Sequence, residues 1–310
     1  MTYHPILRFE DVSFSYSSRA GELLSEINIH VSIGWTGIVG PNGTGKTTLL
    51  LLACGKLKPD HGFIAMPDLS SYCPQRTDNP PEGVTSLMAA NDRDSLILKA
   101  DLDLKQEDLL RWETLSYGER KRFQIAAALY GQPDLLALDE PTNHLDSDTR
   151  SLLYRTLKKY KGIGLLVSHD RELLDNLCRE CVFINPPTAI LRPGNYSSGA
   201  EQGQLEKASA MKRHNDARDK LDKIEREHAR RKHMATKSAQ MNPKRHLSPK
   251  DHDARATVDG ARVTGKDAVQ GKLQKQLDGR LRKAREEYGT APVKKEYPTG
   301  IVVLGSVCPR

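Results

Sequence analysis

The octapeptide GPNGTGKT at residues 40–47 restricts this chain more than any other stretch, because it matches G-x-x-x-x-G-K-[ST] in full. The apolar run WTGIVG precedes it and the helix-like run KTTLLLLACGKL follows. Such a loop works between a strand and a helix. Its glycines let backbone N–H groups turn inward on a phosphate, and the helix N terminus adds partial positive charge. The surroundings keep that rhythm: DLLALDEP and GIGLLVSHDRELLDNLC alternate short apolar runs with helical stretches, which predicts parallel strands covered by helices. The first 195 residues are therefore expected to be an α/β domain. Gly40, Asn42, Gly43, Gly45, Lys46, Thr47 and Thr48 are its expected nucleotide contacts, with Lys46 on the outer phosphates and Thr47 on Mg2+.

Two further strands end in chemistry. LLALDEPTNHLD runs residues 135–138 into Asp139 and Glu140, and two carboxylates at the end of a buried strand are costly unless something holds them. A divalent cation accounts for Asp139. Glu140 is then placed to polarise a water that attacks the γ-phosphate of a nucleotide. LLVSHD delivers His169 to the end of another strand, where open parallel sheets bind ligands, and a γ-phosphate contact is expected there. In TLSYGERKRFQIAAAL, Ser116 and Glu119 fit a capping box for a helix from about residue 117 to 129, with Gly131 available to end it. Gly118 in the first turn costs about 1 kcal/mol of helix propensity against alanine. A glycine there allows close approach to an anion, so Ser116, Gly118 and the helix dipole form a second phosphate-binding point.

These motifs in this order resemble an ATP-binding cassette of the ABC superfamily over residues 4–195. The resemblance implies a P-loop ATPase fold with a helical subdomain. It also implies an adenine-stacking aromatic, for which Tyr16 in DVSFSY fits first and Phe14 second, and a glutamine joining Mg2+ to the helical subdomain, matched by Gln75 in SYCPQ. LSYGE matches the signature that closes on a partner's ATP, with Tyr117 standing where glycine is usual and Glu119 where glutamine is usual. Asn143, His144, Leu145 and Asp146 match the loop that touches the opposite cassette. DEPTNHLD is similar to the ABC-F branch, which carries two cassettes in one chain and no membrane domain. ILRPGNYSS and KDHDARATVDGARVTGKD resemble the stretch leading into, and part of, its interdomain linker. The resemblance implies ATP and Mg2+ as ligands, a ribosomal partner (rRNA and tRNA), a role in translation or in protection against ribosome-targeting antibiotics, and a cytoplasmic location.

Charge separates the second part of the chain from the first. Residues 201–290 hold 23 Lys plus Arg against 14 Asp plus Glu, a net +9, so the rest of the +7 chain totals −2. With one aromatic, Tyr288, and few large aliphatics, this segment is too poor to build its own core. Ala217, Leu221, Ile224 and His228 share one helical face, and Leu273, Leu277, Leu281, Ala284 and Tyr288 another. A long antiparallel helical hairpin follows, with a first helix from about residue 204 to 239 and a tip at Pro243 and Pro249. Lys244, Arg245, Lys250, Arg255 and Arg262, at or near that tip, are the expected RNA contacts, through phosphates rather than bases.

The expected organisation is a cassette at 1–195, a basic hairpin linker at 196–290, and at 291–310 the first strand or two of a second cassette. With one P-loop and one signature, either two copies complete each other's sites or the chain is a truncated product or gene fragment, a binding-only cassette that holds ATP without turning it over. No run reaches the eighteen apolar residues of a membrane span, and the N terminus lacks a signal-peptide profile. The ATPase subunit of a membrane transporter is a further alternative, against which the NHLD loop and the basic arm both count.

Overall fold

The computed structural model describes residues 5–17, 21–241 and 266–291. The chain divides into two compact units, Met1–Gln202 and Gly203–Arg310.

Two sheets build the first unit. β1 (Leu7–Phe14), β2 (Leu24–Val31) and β4 (His61–Ala65) form an antiparallel sheet in the order β2-β1-β4. β3 (Gly34–Val39), β5 (Ser70–Cys73), β6 (Leu135–Asp139), β7 (Ile163–Val167), β8 (Cys178–Asn185) and β9 (Thr188–Pro193) form the larger one, ordered β5-β6-β7-β3-β8-β9. Its neighbours are parallel except for β8 and β9. The expected parallel rhythm thus holds for five strands and fails at the first sheet and at β9. Connection length is the reason. Only Pro186 and Pro187 join β8 to β9, and the link from β1 to β2 is too short for the crossover that parallel partners need.

β6 and β7 are buried at all five positions, as parallel strands covered on both faces should be. Period-two alternation deals their side chains to two cores. Leu135, Ala137, Ile163, Leu165 and Val167 pack with Leu49, Leu50 and Leu52 of α1 (Lys46–Ala53) and with the antiparallel sheet. Leu136, Leu138 and Leu166 pack with α4 (Tyr117–Tyr130), α5 (Ser147–Lys158) and α6 (Arg171–Leu177). In β7 a side chain at Gly164 would meet the Trp35 ring of β3 at 2.4 Å, so glycine there lets the indole lie flat on the sheet. α2 (Val84–Ala89), α3 (Arg93–Asp101), a 3-10 stretch at Gln106–Thr114 and α4 make the helical subdomain. α4 has the expected capping box, but Gly131 is right-handed and the left-handed turn falls one residue later, on Gln132.

α7 (Tyr196–Met241) enters the second unit at Gly203 and pairs there with α8 (Lys266–Thr290). Lys220 bonds Glu287 at 2.6 Å, Arg285 bonds Glu225 at 2.9 Å and His228 meets Asp278 at 2.9 Å, an antiparallel sequence of contacts. Ile224, Leu277 and Ala284 are buried between the helices, flanked by Leu221 and Leu281. Leu273, expected in the seam, is 45% exposed, and Tyr288 lies against the His214 ring at 5.0 Å. α7 begins eight residues before the expected start. Tyr196 stacks on Phe183 at 6.3 Å and Ser197 N–H donates to Asp175, which fixes its first turn in the first unit. The hairpin tip with Pro243 and Pro249, the five basic candidates Lys244, Arg245, Lys250, Arg255 and Arg262, and residues 292–310 lie outside the described residues.

Candidate nucleotide site

Strand order gathers the site. β5, β6, β7 and β3 are consecutive neighbours, so their carboxyl ends bring Gln75, Asp139 with Glu140, His169 and the phosphate loop to one edge of the sheet. In the loop Gly43 and Gly45 have φ of 76° and 98°, left-handed values that a side chain would strain. A Cβ at Gly40 would stand 2.8 Å from the Ile184 carbonyl oxygen. Lys46 is buried, and its ammonium donates to the Gly40 and Pro41 carbonyls at 2.9 and 3.1 Å and to Asn42 Oδ1 at 3.4 Å. Burial lowers its pKa, opposed by the charges of Glu140 and Asp139. Thr48 Oγ1 lies 3.1 Å from the Tyr16 hydroxyl. Tyr16 is 39% exposed, whereas Phe14, the second aromatic choice, is core and meets the Tyr16 ring at right angles, centroids 4.9 Å apart.

Thr47 Oγ1 donates to Asp139 Oδ2 at 2.7 Å, and Tyr72 Oη donates to the same oxygen at 3.3 Å. Burial and the Asp139 charge together push the Tyr72 hydroxyl pKa up, keeping it a donor. Glu140 leaves the strand in a left-handed conformation, φ 47°, with its N–H held by Val167 O at 2.9 Å. Its buried carboxylate receives the His169 backbone N–H on Oε2 at 3.2 Å. The His169 ring nitrogen stands 3.3 Å from Oε1 without hydrogen-bond alignment, so Oε1 is a buried acceptor that takes no hydrogen bond. Burial raises the Glu140 pKa, with His169 and Lys46 pulling it back. Two hard oxygen donors, Thr47 and Asp139, beside a phosphate cradle suit Mg2+, which favours few protein oxygens with phosphates and water completing its shell. The residues present therefore fit ATP with Mg2+.

The Gln75 side chain is exposed and makes no hydrogen bond among the described residues, but its backbone is held. Tyr117 Oη donates to Gln75 O at 2.6 Å. Lys121 Nζ donates to Pro74 O at 2.9 Å, Gln75 O at 3.1 Å and Gln124 Oε1 at 2.8 Å, and Gln124 Nε2 donates to Arg76 O at 3.2 Å. Lys121 is fully buried, and desolvation lowers its pKa to about 8. Sequence patterning did not single out Tyr72, Lys121 or Gln124. In GERKRF a lysine reads as part of a solvated basic face, and the i, i+4, i+7 spacing of Tyr117, Lys121 and Gln124 was the available signal.

At the start of α4, Ser116 Oγ accepts the Glu119 N–H at 3.3 Å and Glu119 accepts the Ser116 N–H at 2.7 Å. A Cβ at Gly118 would point at Leu145, 3.3 Å away, so this glycine also admits close packing of the 143–146 loop of its own chain. In that loop Leu145 is buried and Asp146 caps α5 through Thr149, while Asn143 is half-buried and His144 exposed, its ring edge-on to Tyr117 at 6.0 Å. Among the described residues no helix is long and apolar enough to cross a membrane.

Fold and site define a P-loop nucleotide-binding cassette of the ABC class, and residues 24–143 match the family described as "ABC transporter". A nucleotide-free ATP-binding cassette from an ABC transporter superposes with a TM-score of 0.51 at 19% identity, covering 62% of this chain and 92% of that one, a likeness of fold alone. Within the class, the curated relatives that this chain resembles are ABC-F proteins. The Ribosome protection protein VmlR of Bacillus subtilis is 31% identical over 91% of this chain and 48% of its own length. The ATP-binding protein Uup of Escherichia coli is 33% identical over 67% and 34%, and the Energy-dependent translational throttle protein EttA of Mycobacterium tuberculosis 34% over 54% and 38%. The chain spans about half the length, or less, of these relatives.

Proposed function

We propose that this chain binds ATP with Mg2+ at the edge of its larger sheet and works as an ABC-F type ATPase on the ribosome. The observation that carries this reading is the meeting of Lys46, Thr47, Asp139, Glu140 and His169 at the ends of neighbouring strands. ATP lies along the loop of Gly40, Asn42, Gly43 and Gly45, with its base on the Tyr16 ring and Thr48 steadying that ring. Lys46 exchanges its carbonyl partners for the outer phosphates. Thr47, Asp139 and Gln75 would hold Mg2+, which would supply electrostatic stabilisation for the charge developing on the phosphates. Glu140, buried and short of a hydrogen bond on Oε1, takes the proton of the attacking water. His169, whose side chain is 57% exposed, donates to the γ-phosphate from beside Glu140.

The N terminus of α4, with Ser116, Gly118 and Glu119, serves the ATP of a second cassette, and Asn143 and His144 touch that cassette. The second cassette is either another copy of this chain or a further part of the same polypeptide. The net +9 of residues 201–290 supports an RNA-facing arm, with Lys244, Arg245, Lys250, Arg255 and Arg262 on rRNA or tRNA phosphates. Work on the ribosome puts the protein in the cytoplasm, in translation or in ribosome protection. The test is the ATPase rate per chain across protein concentration, with Glu140→Gln as control and sedimentation on the same samples. A rate that tracks dimer and vanishes in the control is the expected result. Tight ATP binding with no turnover at any concentration would reduce the chain to a nucleotide-binding module.

A further inference from the structure

The carbonyls of three consecutive loop residues, Pro74, Gln75 and Arg76, are all taken by one face of α4. The donors are Tyr117, Lys121 and Gln124, spaced i, i+4 and i+7, so they rise along a single stripe of the helix. A lysine with no exposure and no carboxylate bonded to it is a costly way to pack a helix, since burying a cation loses its hydration. An apolar side chain would serve packing better. What the ammonium adds is three donors from one atom, enough for Pro74 O, Gln75 O and Gln124 Oε1 together. Gln124 is thereby oriented so that its amide nitrogen reaches Arg76 O. The outcome is a loop whose backbone is pinned while the Gln75 side chain stays exposed.

We propose that Tyr117, Lys121 and Gln124 are positioning residues that latch the Gln75 loop to the signature helix, so that Mg2+ at Thr47 and Asp139 and the N terminus of α4 are joined by one rigid connection. This rests on the nucleotide-site reading above. The tyrosine at the signature position where glycine is usual has its function here: its hydroxyl is spent on the chain's own loop. Through these bonds a shift of the Gln75 loop would carry α4 with it as a body and reach Trp112, which packs on Phe123 of α4 with ring centroids 6.0 Å apart and accepts from Arg120 through its carbonyl.

The chain has two tryptophans, Trp35 in the sheet core and Trp112 beside α4, so tryptophan fluorescence reads the helical subdomain once a Trp112→Phe control has assigned the signal. The full-length chain is titrated with ATP by calorimetry, with and without Mg2+, alongside Tyr117→Phe and Lys121→Met. Tyr117→Phe removes only a hydroxyl, and metal-free ATP affinity serves as the folding control for both variants. The parent and both variants are expected to bind metal-free ATP equally. With Mg2+ present the variants lose about 10–100-fold in metal-dependent affinity, the range for partners that orient a metal ligand, and the Trp112 response disappears. Unchanged Mg2+ dependence and an unchanged Trp112 response in both variants overturn the latch and leave the nucleotide site standing. Failure of the parent to bind ATP at all overturns the site on which the latch rests.

Discussion

α4 and α8 are both basic, amphipathic helices, yet α4 buries Phe123, Gln124, Ile125, Ala126 and even Lys121, whereas among its described side chains α8 buries only Leu277 and Ala284. The difference is in what surrounds them. α4 lies against a sheet, a loop and a second helix, so its polar groups find partners in every direction and charge is tolerated inside. Among the described residues α8 has one partner helix, and beyond a thin seam its lysines and arginines stay in water, where salt screens their field within about 10 Å. The same helical periodicity therefore gives a precise local scaffold in one unit and a charged arm in the other.

Five measurements break or sharpen that contrast. The largest effect is expected at Glu140→Gln, which lowers ATP turnover about 10²–10⁴-fold with ATP affinity retained. Single-turnover kinetics measure it, and no substitution on the arm should approach it. Next, Phe123→Ala opens a cavity in the cassette core and costs about 3–5 kcal/mol, read from the denaturant midpoint. Leu277→Ala should cost about 2 kcal/mol and shift only the arm's transition, followed by helical circular dichroism; a matching shift of the cassette transition would show that the two units do not melt separately. The smallest effect is expected at Lys220→Ala. Its pair with Glu287 is about half exposed and should contribute about 0.2–1 kcal/mol, vanishing in high salt. On the binding side, reversing the charge at Lys244, Arg245, Lys250, Arg255 and Arg262 should weaken binding to an RNA duplex and flatten its salt dependence, by about 0.9 in log–log slope for each phosphate no longer neutralised.

The candidate site's residues were legible because each stands where a periodic pattern stops. The glycine loop, Asp139 and Glu140 and His169 all follow an apolar strand, and a strand end at a parallel sheet's edge is where side chains meet a ligand. The arm's seam was legible for a similar reason, save for Leu273, which the helical pattern assigns to the seam and the pairing leaves exposed. Tyr72 was missed because a tyrosine in a short edge strand reads as ordinary strand composition. Lys121 was missed because a lysine between two arginines gives no sign of being buried.

By itself the sequence determined the P-loop cassette, its resemblance to the ABC-F proteins, the order in which the site's pieces occur and the basic character of the arm. These are properties of spacing and composition, which act along the chain. Only the tertiary structure decided that the first strands form a separate antiparallel sheet, that Tyr72 shares Asp139 with Thr47, and that the face of α4 carrying Tyr117, Lys121 and Gln124 holds the loop at Gln75. Each of these joins residues more than forty positions apart or depends on which strands become neighbours, and the cost of a buried charge or an unmet carbonyl is settled only when the groups around it are in place.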